Sequence, residues 1–374
     1  MRILLIRLRE IGDVVFTTPA VRALRDRYPD ARITYVVEPA AAPIVAGNPH
    51  LTDTIIAERP GGVRQIREDL ALARRLRATR YDLVLDFHGG PRASWLAWAT
   101  RAPQRVGYEV AGRSWMYTTR VARPRALRPR HSVVNQWDLL TALGLDPPDP
   151  ARWPTEMAES AAAAGSVVRR LSDAGVQPGD TVLVIHVSAG NPFRRWPEAA
   201  FADLVVRLVT ARPRRRIVLT AGPSDRQAVD RIVAAADARL AAAERAALVR
   251  CGEFDLAELR ALAARASLYI GGDSGPLHIA GTTPVPIVAL FGPTPAERSM
   301  PWRDPALVTE PVDGGALPCR PCEQRHCVPG DFRCLTLITA AQVAAAAERA
   351  LTRAGAPGWA GTAEAPDPAA ARNV

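Results

Sequence analysis

Short apolar runs rich in β-branched residues recur along most of this chain, each leading through a loop into an amphipathic stretch. Ile3-Leu4-Leu5-Ile6 enters a loop over 7–13 and then a helical stretch that includes Pro19–Leu24. Ile33–Val37 and Leu83–Asp86 repeat the pattern, the second of them after an amphipathic segment over 70–76. Unalternated apolar runs of this length suit strands covered on both faces, and strands that alternate with helices build βαβ units and a parallel sheet. The chain is therefore expected to be an α/β protein. Four prolines between Gly144 and Pro154 forbid a continuing helix and suit a crossing between domains. Beyond them the pattern restarts with strands at Val182–Ile185, Arg216–Thr220, Leu268–Ile270 and Ile287–Phe291, and helices at Phe201–Thr210 and Leu256–Ala266 between them. This gives an N-terminal domain over 1–152, a C-terminal domain over 153–354, and a tail over 355–374 whose Ala, Pro and Gly content reads as disordered.

With 374 residues, 48% hydrophobic and 23% charged, the chain has material for two packed cores and cannot be wholly disordered. No apolar run approaches the ~18 residues of a membrane-spanning helix. Charges break the opening Met1–Glu10 too early for a secretory segment, so the cytoplasm is the expected compartment. The formal net charge is +10, and every basic residue is Arg. Such a surface attracts phosphates, nucleotides or an anionic membrane face. Aromatics make up only 6% and are not interleaved with Arg runs, which argues against nucleic acid as a partner.

Ligands of doubly wound sheets bind beyond the C-terminal ends of the strands, so the loops there carry the chemistry. After the first strand comes Arg9-Glu10-Ile11-Gly12-Asp13, which lacks the three glycines of a dinucleotide fingerprint but offers a carboxylate. By position alone Asp13 reads as a helix cap or as a base. After the strand at 182–185 comes His186-Val-Ser188, followed by Arg194-Arg195-Trp196-Pro197. Ser188 with the two arginines could clamp a phosphate, or the arginines could be merely solvated. After Ile270 comes Gly271-Gly-Asp273-Ser274-Gly275-Pro276-Leu277-His278, with Ser274 as N-cap and Pro276 in the first helical turn. Free N–H groups at such a turn attract anions.

Taken in order, these segments resemble glycosyltransferase family 9, the heptosyltransferases of the lipopolysaccharide inner core. The resemblance rests on Ile11-Gly-Asp-Val-Val-Phe-Thr-Thr-Pro-Ala20, His186-x-Ser188 with Arg194-x-Trp196-Pro197, and Gly272-Asp-Ser-Gly-Pro-Leu-His278. Asp86-Phe-His88, Arg105-Val-Gly-Tyr108 and Phe291-Gly-Pro-Thr294 follow the family's order, so the likeness runs from residue 1 to about 350. It implies a GT-B architecture, two Rossmann-like domains facing across a cleft, and transfer of heptose from ADP-heptose with inversion. It also implies Asp13 as general base, Ser188 as a donor-phosphate ligand, and Arg194 as the diphosphate cation where the family usually has Lys. Asp273 is then the acid that orients the donor sugar. Ser274, Gly275, Leu277 and His278 form the diphosphate loop, Asp225 meets the nucleotide ribose, and Phe254 touches the base. The resemblance further implies a lipid-linked oligosaccharide acceptor at the inner face of the cytoplasmic membrane, where the enzyme would sit peripherally. Arg59, Arg64 and Arg67 are candidate partners for its anionic sugars. No Asp-x-Asp motif lies near these loops, so neither a catalytic metal nor a cofactor is expected.

Cys319-x2-Cys322-x4-Cys327-x6-Cys334, with His326 inside it, gathers four of the five cysteines. In a reducing compartment a disulfide framework is not expected, and this spacing permits a tetrahedral zinc or a metal cluster, as a structural staple and not a catalyst, or simply free thiols. Cys251 reads as a small apolar residue. Two other readings stay open on the sequence: a GT-B enzyme with another nucleotide sugar or acceptor, and a non-catalytic nucleotide-binding scaffold. A zinc-dependent nucleic-acid binder would leave the Asp13 and 271–278 loops unexplained.

Overall fold

The computed structural model describes residues 1–123, 130–322, 324–355 and 358–362. The chain divides into two compact units, Met1–Ala158 and a second from Glu159 onward, each with its own sheet. Strands β1 (Arg2–Ile6), β2 (Arg32–Val37), β3 (Asp53–Ile56), β4 (Leu83–Asp86), β5 (Gln104–Tyr108) and β6 (Thr119–Val121) form the first sheet, in the order β3-β2-β1-β4-β5-β6. The second contains β7 (Thr181–His186), β8 (Arg215–Thr220), β9 (Leu248–Val249), β10 (Leu268–Gly272), β11 (Ile287–Phe291) and β12 (Thr309–Asp313), in the order β12-β11-β10-β7-β8-β9. All ladders are parallel. Renumbered from its own first strand, the second sheet repeats the order of the first. This is the doubly wound order, whose switch point lies between the first and fourth strands. The α/β architecture of two Rossmann-like sheets expected from the sequence is the one observed.

The apolar runs do what their patterning requires. Ile3 to Ile6 and Leu83 to Leu85 are fully buried. In β7 the period of two sorts the side chains: Leu183 and Ile185 enter one core layer, while Val182 and Val184 enter the layer on the opposite face. Helix Thr18–Arg27 takes Pro19 in its first turn and buries Ala20, Val21, Ala23 and Leu24. Helix Leu256–Arg265 opens with a reciprocal capping box between Asp255 and Glu258, which supplies partners for N–H groups left over at a helix start.

Two segments differ in character from their composition. The proline-rich stretch after Gly144 folds back onto the first unit: Trp153 lies 5.0 Å from Trp137, and its Nε1 donates to Asp26 Oδ2 at 2.9 Å. Glu156 follows suit, donating its N–H to Thr18 Oγ1 at 2.8 Å and pairing with Arg22 at 2.7 Å. The first unit consequently runs past 152 to Ala158. Residues 358–362 correct the expectation of a disordered tail. Trp359 is buried in the core layer of the second unit, donates its N–H to Asp180 O and accepts from Gly179 N, both at 2.8 Å. Gly358 lies so close to Gly179 that a Cβ would stand 2.8 Å from its backbone. A lone tryptophan among Ala, Pro and Gly has enough apolar surface to dock the segment. Residues 356–357 and 363–374 of that tail lie outside the described residues.

Candidate active site

In the first unit, the loop after β1 is organised by a buried cation. Arg7 is buried; its Nη1 donates to Phe87 O at 2.7 Å and its Nη2 contacts Asp13 Oδ2. Asp13 lies within helix Ile11–Val15, no side chain caps that helix, and the Asp13 side chain is 37% exposed. Of the two readings open on position, the carboxylate is thus not a cap. It is held by Arg7 and remains open to solvent.

β4 lies on the other side of the switch point. Asp86 at its end is fully buried: Oδ1 accepts from the N–H groups of His88 and Gly89 at 2.9 Å, and Oδ2 from the Tyr117 hydroxyl at 2.6 Å. Burial raises its pKa against the lowering effect of these bonds and of Arg7. His88 next to it is pushed down to about 4, first by burial and then by the positive charges of Arg7, Arg9, Arg123 and Arg59. The imidazole is neutral at pH 7, and its surroundings are strongly positive.

In the second unit, the loops after β7, β8, β10 and β11 meet. His186 is pushed down to about 4 by burial. Its Nδ1 lies 3.0 Å from Thr220 Oγ1 and its Nε2 3.1 Å from Ser188 Oγ, which accepts from Gly222 N at 2.8 Å. Asp273, buried to 3% exposure, sits 3.1 Å from Arg194 Nη1 and 3.6 Å from His278 Nε2. Burial alone would raise the Asp273 pKa, but the bond from His278 and the charge of Arg194 hold it below the usual carboxylate range. Ser274 occupies the N-cap of helix Gly275–Ala280, yet its hydroxyl donates to Gly272 O at 3.1 Å and leaves the helix start without a side-chain cap.

The remaining candidates separate. Leu277 is a core side chain, so any ligand contact it makes comes through its backbone. Asp225 pairs with Arg195, not Arg194, at 3.2 Å, and Arg195 Nε donates to Ala189 O at 3.0 Å. The two adjacent arginines therefore point to different partners. Phe254 packs against the second core layer under the guanidinium of Arg170, 4.0 Å from its ring centroid, and Arg170 pairs with Glu258 at 3.0 Å.

Sequence reasoning missed Arg7 and Gln324, and named Thr294 only as part of the Phe291-Gly-Pro-Thr294 motif, without a role. Gln324 lies in the cysteine-rich segment with a left-handed backbone (φ 58°). Its Oε1 accepts from Arg194 Nε at 2.6 Å and Asn191 Nδ2 at 3.0 Å, while Nε2 donates to Thr294 Oγ1 at 3.1 Å. Arg7 had a readable signal, a cation directly after an apolar strand; Gln324 had none. The segment's four cysteines and His326 line one cavity of about 40 Å³, and all five cysteines are free thiols. Among the described residues no three His, Cys, Asp or Glu side chains stand close enough together to hold a metal ion. Cys251 is half-buried against the core, and burial pushes its thiol up to about 11.

Two doubly wound sheets, one with an accessible carboxylate beside its switch point and the other with a buried Asp273 held by Arg194 and His278, are an architecture on which glycosyltransferases are built. The chain belongs to glycosyltransferase family 9 (heptosyltransferase), whose family model matches residues 70–330. It is 28% identical over 345 residues to lipopolysaccharide heptosyltransferase 3 of Escherichia coli, covering 91% of this chain and 96% of that protein. The crystal structure of a family 9 glycosyl transferase from Veillonella parvula has the same fold, with a TM-score of 0.78 at 24% identity over 94% of this chain and 97% of that one. E. coli heptosyltransferase WaaC with ADP-2-deoxy-2-fluoro heptose matches at a TM-score of 0.65 and 19% identity, over 93% and 99% of the two chains.

Proposed function

We propose that this glycosyltransferase moves a heptose from ADP-heptose to a sugar of the lipopolysaccharide inner core, at the cytoplasmic face of the inner membrane, with inversion and without a metal ion. The observation that carries the chemistry is Asp13, solvent-accessible and oriented by a buried Arg7. Inverting transfer needs one base to take the proton of the acceptor hydroxyl as it attacks the anomeric carbon. It also needs fixed positive charge where the departing diphosphate gathers negative charge. Arg194 and the 274–278 loop supply that charge, with Ser188 as a further phosphate ligand. Asp273, kept ionised by Arg194 and His278, orients the sugar. Asp225 and Phe254 serve the ribose and the base. Asp13 and the positive field around His88 belong to one unit and the donor groups to the other, which matches a division into acceptor and donor halves. The donor and acceptor classes are those in the names of the proteins this chain resembles.

The test is incubation with ADP-heptose and a heptose-deficient core lipid, following ADP release and product mass. Release of ADP with a product heavier by one heptose is expected. Transfer from a different nucleotide sugar in a competing panel would replace the donor assignment, and absence of transfer from every donor would favour a nucleotide-binding scaffold.

A further inference from the structure

Helix Gly62–Thr79 leaves an uncovered face whose composition is unusual for a soluble surface. Val63, Ile66 and Leu70 are 71%, 61% and 41% exposed. Their spacing places them on one side of the helix, and Arg67, Arg74 and Arg77 continue the same side toward its C-terminus. No acidic residue shares that face: Glu68 and Asp69 fall outside it, and Asp69 is engaged by Arg92 at 2.7 Å. Leu76 on the far side and Ala73 at one edge of this face are buried against the first sheet. Among the described residues Arg64, Arg67, Arg74 and Arg77 form no ion pair, and all four are exposed.

We propose that this face docks on an anionic phospholipid bilayer, with Val63, Ile66 and Leu70 entering the headgroup boundary and the arginines lying over lipid phosphates. Apolar residues at one end of a helix face and unpaired cations along the rest match an interfacial helix. A second copy of this chain is the poorer occupant, because the face carries no acid to pair with Arg67, Arg74 and Arg77 of a facing copy. The location gives the contact a purpose. The helix leaves β3 at the C-terminal edge of the sheet, where the Asp13 and His88 loops also emerge. Arg92 anchors its first half there by bridging Asp69 and Glu38, the residue after β2, at 2.7 and 3.0 Å. A bilayer held at this edge presents a lipid-linked acceptor to the face that carries Asp13. That use rests on the acceptor class proposed above; the docking itself does not.

The experiment is co-flotation of the full-length protein with vesicles of phosphatidylglycerol and phosphatidylethanolamine, against pure phosphatidylcholine. Binding to the anionic vesicles that weakens with salt is expected. V63S/I66S/L70S and R67Q/R74Q/R77Q should each lower partitioning at least about tenfold, with melting temperature and ADP affinity unchanged because these side chains are exposed. Failure of the native protein to bind anionic vesicles, or equal binding by both variants, overturns the surface. A dimer in sedimentation that I66D dissolves also overturns it, in favour of a contact between copies. Vesicle binding without heptosyl transfer would refute the function and leave the surface standing. Transfer without helix-dependent binding would do the reverse.

Discussion

In the N-terminal unit the acid at the switch point, Asp13, keeps 37% of its side chain in solvent and is held from one side by Arg7. In the C-terminal unit Asp273 stands on the other side of the corresponding switch point, after the fourth strand β10, but only 3% of it is exposed, and a cation and an imidazole hold it from two sides. One strand order therefore supports opposite treatments of a carboxylate. A group that must collect a proton has to be reached by another molecule, so its environment stays open. A group that must hold charge in place is buried, and the surrounding cations outweigh the desolvation that would otherwise neutralise it. The same contrast appears in what each acid's cation touches. Arg7 is fixed by a backbone carbonyl, whereas Arg194 is shared among Asp273, Gln324 and the expected ligand.

The sharpest way to break this comparison is to remove the accessible acid. Asp13→Asn should lower kcat by ~10²–10⁴-fold while ADP binding, measured by calorimetry, survives. Near-normal kcat would move the base elsewhere. The dry side of the comparison is tested by His186. Its imidazole is neutral in the folded state with a pKa of about 4, and an unfolded chain binds that proton from ~6.5 downward. The stability this confers is complete above ~6.5 and lost as pH falls toward 4, a loss on the order of 3 kcal/mol. His186→Gln should flatten the melting-temperature profile across that window; an unchanged slope would mean the ring is not held neutral.

Arg194→Ala should reduce kcat/KM for ADP-heptose by roughly tenfold to a hundredfold, and Arg194→Lys should recover most of it at a modest deficit. The Ala variant also strands a buried Asp273, so its melting temperature should fall, which Lys should prevent. Gln324→Ala loosens Arg194 without removing charge; a rise in donor KM of about fivefold with little change in kcat is expected. Arg195→Ala comes last. It pairs with Asp225 in a half-exposed setting worth under ~1 kcal/mol, so donor KM should shift by less than about fivefold. A larger loss here than at Arg194 would reverse the assignment of the two arginines.

The central strands were legible because burial on both faces demands uninterrupted apolar runs, as in Ile3–Ile6 and Ile287–Phe291. Strands β3, β5, β6, β9 and β12 escaped notice, and all of them but β5 lie at a rim. β12 reads Thr-Glu-Pro-Val-Asp, and a strand at the rim of a sheet owes its existence to its neighbour's hydrogen bonds more than to its own side chains. Within the site, residues that directly follow a strand, Ser188 and Asp273, could be found by position. Whether Asp13 caps or accepts could not, because the answer lies in the direction of the Arg7 side chain. Gln324 was invisible: a left-handed turn inside a cysteine-rich loop brings it to Arg194, and no periodicity announces such a turn.

The docking of Trp359 onto Gly179 and Asp180 ties nearly the last described residue of the second unit to the turn before its first strand. On the ribosome this imposes an order of events. The first unit has all its strands by Val121 and its closing segment by Ala158, so it can fold while the rest of the chain is still being translated. The second must wait: β7 can pair early with β8, but the core layer that buries Trp359, beside the turn at Gly179 and Asp180, is not closed until the tryptophan emerges. A stall before Trp359 is translated would leave one finished unit beside an unclasped one, a nascent chain with apolar surface for a chaperone to hold.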